Sequence, residues 1–125
     1  MSTIDAFEIV PRFGTNRFPK DFRLRTAADF KKVYAKGAKR IARFFVVFVL
    51  GNGLEYSRFG LTTPRKLGKA HVRNLLKRRI REILRTSRAA IPTGFDFVVN
   101  PRRSASDHDL EELRRELLPL LGAEK

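Results

Sequence analysis

The 125-residue sequence contains no cysteine and only two histidines, His71 and His108. Without cysteine there is no disulfide framework and no thiolate metal site, so ordinary packing must supply the stability. Negative charge is also scarce. Thirteen Asp and Glu stand against 27 Lys and Arg, for a formal net charge of +14 and a pI of about 11.2. Such an imbalance speaks of partners rather than of fold, nucleic acid first and an anionic membrane surface second. No apolar run approaches the roughly 18 residues that span a bilayer. The opening MSTIDAFEIVPRF lacks the charged-then-apolar layout of a signal peptide. The expectation is a cytoplasmic protein.

Catalytic chemistry is equally thin. Acidic residues are too sparse before Asp107 to build a two-metal carboxylate cluster. The turn Gly51-Asn52-Gly53 is followed by no Lys-Ser/Thr pair and opens no helix, so it is not a phosphate loop. His71 could meet a phosphate at a helix start, but a solvent-facing residue is the simpler reading. The sequence therefore offers no catalytic residue and no metal ligand set of its own.

What is present is concentrated in one stretch, Lys66 to Arg88, reading KLGKAHVRNLLKRRIREILRTSR. At about 100° per residue, Lys69, Arg73, Lys77, Arg81 and Arg85 follow one another at i, i+4 spacing, and Asn74 and Arg78 widen the stripe. Val72, Leu75, Leu76, Ile80, Ile83 and Leu84 gather on the opposite arc, with Leu75 at its edge. Like charges at i, i+4 cost an isolated helix a few tenths of a kcal/mol per pair. Only Glu82 compensates locally. A face that carries this repulsion fits an external polyanion better than plain solvent.

The rest of the chain reads as one small domain. Residues 1–22 form an extended arm punctuated by Phe7, Phe13, Phe18 and Phe22, residues 23–121 the domain, and residues 122–125 a tail. For Phe18 and Phe22, core packing competes with stacking on bases. Thr26 is the expected N-cap of a first helix, with Asp29 at N3. Ala27, Phe30, Val33 and Tyr34 share one face, and Gly37 is the expected C-terminal cap. RFFVVFVL, Arg43 to Leu50, is a strand with both alternating sets apolar, so both faces of its sheet need cover, or one is a binding surface. A short strand fits near Arg40 and Ile41. Gly51-Asn52-Gly53 is a turn leading to a return strand within residues 55–63. The basic helix follows, then a strand from Phe95 to Asn100. A last helix is capped by Ser104 or Ser106, carries Leu110, Leu113, Leu117 and Leu121 as its stripe, and is ended or distorted by Pro119. Being acidic, that helix is expected on the side away from RNA. The order is an α+β sandwich.

The residues Lys66, Gly68, Ala70, Arg73, Asn74, Lys77, Arg78, Arg81 and Glu82, with Arg23-Leu24, Asp29-Phe30, Val33-Tyr34 and Gly37 upstream, resemble the protein subunit of bacterial ribonuclease P. The likeness covers roughly residues 22–118. It departs at Leu75, where the family has the second Arg of an Arg-Asn-Arg core, and at Arg79, where an apolar residue is usual. The resemblance implies an αβββαβα fold, ribosomal-protein-like, with a left-handed βαβ crossover, a handedness the general rule would not supply. It implies that the RNA subunit is the catalyst of 5′ leader removal from precursor tRNA, with Mg²⁺ serving that RNA and none held by the protein alone. The partners implied are ribonuclease P RNA, in a 1:1 complex with a protein monomer, and precursor tRNA, with no membrane. The basic helix (Lys69, Arg73, Asn74, Lys77, Arg78, Arg81, Arg85) would contact the RNA. A cleft lined by Phe30, Tyr34 and Phe48, with Lys66 at its edge, would hold the single-stranded leader. Periodicity alone would place Phe30 and Phe48 in the core. A ribosomal or RNA-chaperone protein would share the charge and a similar small fold.

Overall fold

The computed structural model describes residues 22–24 and 26–123. The expected arm and its Phe7, Phe13 and Phe18 lie outside the described residues, as do the last two residues of the tail. The elements are α1 (Ala27–Lys36), β1 (Ala38–Ile41), β2 (Phe45–Gly51), β3 (Arg58–Leu61), α2 (Ala70–Ser87), β4 (Phe95–Pro101) and α3 (Leu110–Leu120). This is the expected αβββαβα order.

The strands form one sheet in the order β1-β2-β4-β3. β2 runs antiparallel to both β1 and β4, whereas β3 runs parallel to β4. This corrects the expected return strand. Gly51 does not lead into a hairpin, because β4 lies between β2 and β3. The Asn52 side chain instead organises a wider loop, accepting from the Leu54 N–H at 2.7 Å and donating to the Tyr56 carbonyl at 3.2 Å and to Asp96 Oδ1 at 2.8 Å. The adjacent parallel pair β3 and β4 is joined through α2, as parallel strands require a crossover.

Alternation along β2 and β4 sends two sets of side chains to opposite faces. Phe45, Val47, Val49, Phe97 and Val99 meet Leu76, Ile80, Ile83 and Leu84 of α2 and Leu113 and Leu117 of α3 in the main core. Burying each such side chain contributes about 1.5–3 kcal/mol. On the other face Val98, Phe48 and Leu50 pack with Leu24, Val33 and Phe30 under α1. Helices therefore cover both faces, but α1 is only 10 residues long and covers its face in part. Phe22, the one arm residue described, is buried beneath Arg88, whose guanidinium lies 4.0 Å over its ring. Burial pushes the Arg88 pKa down to about 10.

Helix boundaries bear out some expectations and correct others. Thr26 caps α1 by accepting from the Asp29 N–H at 3.1 Å. Gly37 ends it, but with φ −80 and ψ 159 rather than in a left-handed cap. What it supplies is the absence of a Cβ, which would stand 2.6 Å from the Val33 oxygen and 2.9 Å from that of Val49. The basic helix begins at Ala70, not Lys66. Arg65–Leu67 is a separate 3₁₀ turn, and Gly68 at φ +140 breaks the path between them. Neither Ser104 nor Ser106 caps α3. Asp109 does, through a reciprocal capping box with Glu112. α3 stops one residue past Pro119.

Candidate nucleic-acid interface

α2 presents two faces of opposite chemistry. Leu76, Ile80, Ile83 and Leu84 are buried, and Lys69, Asn74, Arg78 and Arg81 are exposed. Arg73, Lys77 and Arg85 are half-buried. Two of these have local partners. Arg73 Nε donates to the Gly68 carbonyl at 3.2 Å, tying the first turn back to the preceding loop. Arg85 grips Glu82 with two hydrogen bonds, of 3.2 and 2.8 Å, and that carboxylate raises its pKa. Arg85 is thus the member of the stripe whose charge is already answered within the helix. Leu75 is 37% exposed, which matches its expected place at the edge of the apolar arc. Arg79 has a structural partner. It donates to the His108 carbonyl at 2.6 Å and ties α2 to the start of α3.

The second candidate surface follows from the half-covered face. Three cross-strand pairs of β2 and β4 point toward α1: Val46 with Asn100, Phe48 with Val98 and Leu50 with Asp96. The Asp96 end is closed. Arg58 grips the buried Asp96 carboxylate with hydrogen bonds of 2.9 and 2.7 Å, which raise the arginine's pKa. Phe48 and Val98 lie under α1. The Val46–Asn100 end is open, and there a groove of about 950 Å³ runs between Tyr34, Ile41 and Lys39 on one side and the Thr62–Leu67 loop with Arg102 and Arg103 on the other.

Of the four cleft residues that the resemblance implies, Tyr34 and Lys66 line this groove, whereas Phe30 and Phe48 do not. Phe48 supports Tyr34 from below in an edge-to-face contact of 4.8 Å. Phe30 belongs to the small core under α1, its ring so close to Gly60 that a Cβ there would stand 2.7 Å away. Both are half-buried and pack against the small core under α1. Lys39 lies 5.9 Å from the centre of the Phe48 ring.

The groove residues that sequence reasoning missed are Lys39, Ile41, Asn100, Arg102 and Arg103. Asn100 ends an otherwise apolar run, FDFVVN, and Arg102-Arg103 follows directly, a polar break that could have flagged them. Ile41 is 62% exposed beside these cations, an apolar side chain that no described residue covers. Tyr34, at 40% exposure, donates its hydroxyl to Asn100 Oδ1 at 2.9 Å, and Thr62 Oγ1 hydrogen-bonds the same oxygen.

Electrostatically, both surfaces attract anions. Lys66 stands on the groove wall, in the 3₁₀ turn that lies three residues before Lys69 at the start of the cationic helix. Among the described residues, no three His, Asp or Glu side chains come together in a way that could hold a metal ion. No helix among them is long and apolar enough to cross a membrane.

Comparison with known proteins points one way. The ribonuclease P family model matches residues 18–124. The ribonuclease P protein component of Thermotoga maritima is 43% identical over 111 residues, covering 86% of this chain and 95% of that one. The RNase P protein from Thermotoga maritima, solved in complex with 1-(4-fluorophenyl)-2-thiourea, superposes with a TM-score of 0.76 at 43% identity, covering 82% of this chain and all of that one. A Staphylococcus aureus RNase P protein mutant with defective mRNA degradation activity superposes with a TM-score of 0.78 at 31% identity, covering 84% and 92%.

Proposed function

The chain belongs to the ribonuclease P protein family, and on that premise we propose that it binds the catalytic RNA through α2 and the 5′ leader of precursor tRNA through the groove. A protein component of this family is part of a tRNA-processing ribonuclease and implies association with ribonuclease P RNA. In the proposed division of labour the RNA carries out hydrolysis of the phosphodiester that frees the leader, with Mg²⁺ bound to that RNA. The protein contributes affinity and position. It acts as a monomer in a 1:1 complex, in the cytoplasm.

On α2, Lys69, Arg73, Lys77, Arg78 and Arg81 are the phosphate contacts, with Asn74 as a hydrogen-bonding neighbour. An arginine fork suits phosphate because it can donate two parallel hydrogen bonds. In the groove, Tyr34 offers a face for stacking, a contact worth about 1–3 kcal/mol per base and indifferent to sequence. Lys66 and the missed cations Lys39, Arg102 and Arg103 follow the strand's backbone.

The observation that carries the reading is the open end of the α1 face: apolar side chains with an exposed aromatic, flanked by cations and followed along the chain by the cationic helix. It is tested by reconstituting the chain with a bacterial ribonuclease P RNA and measuring affinity for a precursor tRNA with its leader and for the mature tRNA. Tighter binding of the precursor is expected. Equal affinity for the two removes the leader contact from the proposal, and failure to bind the RNA subunit removes the whole of it.

A further inference from the structure

A smaller cavity, of about 240 Å³, opens at the β3 edge of the sheet and shares no lining residue with the groove. Its origin is local. Arg23 pairs in parallel with Phe59, and the Leu24 N–H donates to the Phe59 carbonyl at 2.9 Å. The chain then turns into α1 at Ala27, and among the described residues this pairing does not extend to Leu61. Leu24, Phe59 and Leu84 are the buried lining residues, and Phe59 is held by stacking on Phe97 at 5.3 Å. Phe30 and Leu61 line it half-buried. Phe30 reaches it across β3 because Gly60 has no Cβ, which would stand 2.7 Å from the ring. Arg23 and the exposed Arg81 are the charged lining residues, and no carboxylate is among the lining. The cavity thus runs from a cationic rim to an apolar interior.

Size and lining narrow the occupant. The volume falls below the about 300–1,000 Å³ of sites for drug-sized ligands, so it has room for one ring system rather than a whole ligand. Apolar walls under an arginine rim suit a flat aromatic group that adjoins an anion, and a nucleotide is such a group. Arg81 belongs both to this rim and to the exposed cationic face of α2, so an RNA backbone lying on that face passes the mouth. Phosphate contacts fix position but carry no sequence information. Side chains cannot read the deep groove of an A-form helix, whereas an unstacked base can be held against aromatic side chains and arginine planes. A face of cations alone would hold any RNA. We propose that the β3-edge cavity receives one unstacked base of the catalytic RNA, with Arg23 and Arg81 at its rim, and that this contact distinguishes that RNA from others the cationic face would also hold. The inference rests on the reading of α2 as the RNA-binding face.

The test fills the cavity without touching a charge. Leu61→Trp puts an indole on its wall, and because the chain has no other tryptophan a blue-shifted emission reports that the ring is seated among the apolar side chains. The probes are a bacterial ribonuclease P RNA and a plain RNA duplex, each titrated across a range of salt. Leu61→Trp should weaken binding of ribonuclease P RNA by about five- to a hundredfold, the worth of one base on an aromatic platform. The slope of log K against log salt should stay as it is, since no phosphate contact is lost, and binding of the duplex should be unchanged. A substitution that merely disturbed the fold would lower the melting temperature and weaken both RNAs together. With the indole seated, unchanged affinity for ribonuclease P RNA, or equal losses for the two RNAs, would overturn the inference and leave α2 as the RNA-binding face. Failure of the unaltered protein to bind ribonuclease P RNA in a salt-dependent way would instead strike the reading of α2. Nucleoside 5′-monophosphates at millimolar concentration should not raise the melting temperature of the unaltered protein; a clear rise, absent in Leu61→Trp, would assign the cavity to a free nucleotide and overturn the inference. If the indole is not seated or that variant does not fold, Leu61→Ala decides the matter by removing the wall: a loss confined to ribonuclease P RNA at constant salt slope is expected, and no such loss overturns the inference.

Discussion

Leu75→Arg restores to α2 the residue that the ribonuclease P family carries there, and it sets packing against charge. Leu75 is 37% exposed, so about two-thirds of its side chain is covered. Full burial of a leucine is worth about 1.5–3 kcal/mol, so the covered part contributes about 1–2 kcal/mol. An arginine stem can lie over the same apolar strip while its head reaches water, recovering much of that. Helix propensity is nearly equal for the two residues. The new charge stands three and four residues before Arg78 and Arg79, each pair costing a few tenths of a kcal/mol. The Arg79 guanidinium is turned to the His108 carbonyl. The net loss should stay below about 1 kcal/mol, read as a small drop in the urea midpoint at constant slope. RNA affinity should rise slightly, and the slope of log K against log salt should steepen by about one for the added phosphate contact. A loss above about 2 kcal/mol would show that Leu75 belongs to the core and refute the edge placement. Unchanged salt dependence would show that this part of the helix does not meet the RNA.

Three further outcomes follow from the same geometry. With roughly five or six phosphates neutralised, RNA binding should fall with salt at a log–log slope near −4 or −5, and a slope flatter than about −2 would remove the electrostatic account. Tyr34→Ala should weaken binding of a leader-bearing precursor and spare mature tRNA, because it takes away the exposed ring on the groove wall; equal losses for both substrates in a folded protein would place Tyr34 outside the leader path. Gly37→Ala should cost about 1–3 kcal/mol in a denaturant melt, since its Cβ would meet two backbone oxygens that cannot turn aside; a neutral result would mean that the α1–β1 junction has slack the geometry does not show.

Periodicity made the elements legible, because apolar spacing is a local property. All three helices and four strands occur in the order that composition and alternation give, though α2 starts at Ala70 rather than Lys66 and α3 at Leu110 rather than after Ser104 or Ser106. Pairing was not legible. Nothing within residues 55–63 says that the strand there lies beside β4 and parallel to it, since that depends on where α2 returns the chain. Caps were partly legible. Thr26 with Asp29 is legible as a cap, whereas Asp109-x-x-Glu112 makes a stronger box than either serine offers. The cationic face of α2 was readable because charge and helical spacing coincide in one stretch. The groove was not, because its residues come from α1, β1, β2, the loop after β3 and the end of β4. They converge only because α1 is too short to cover the face it packs on. Phe30 and Phe48 illustrate the point. Their aromatic character fits stacking on bases, yet packing assigns one to the core and the other to the support of Tyr34.

The central question is whether this chain helps a ribonuclease P RNA mature tRNA. The direct measurement is 5′ processing of a precursor tRNA by a bacterial ribonuclease P RNA at low Mg²⁺, with and without the protein. Cleavage at the mature 5′ end should be slow with RNA alone and strongly stimulated by the protein, and the stimulation should fade as Mg²⁺ or salt is raised. If the chain binds the RNA and processing is no faster, it is an RNA-binding protein of this fold without the proposed role.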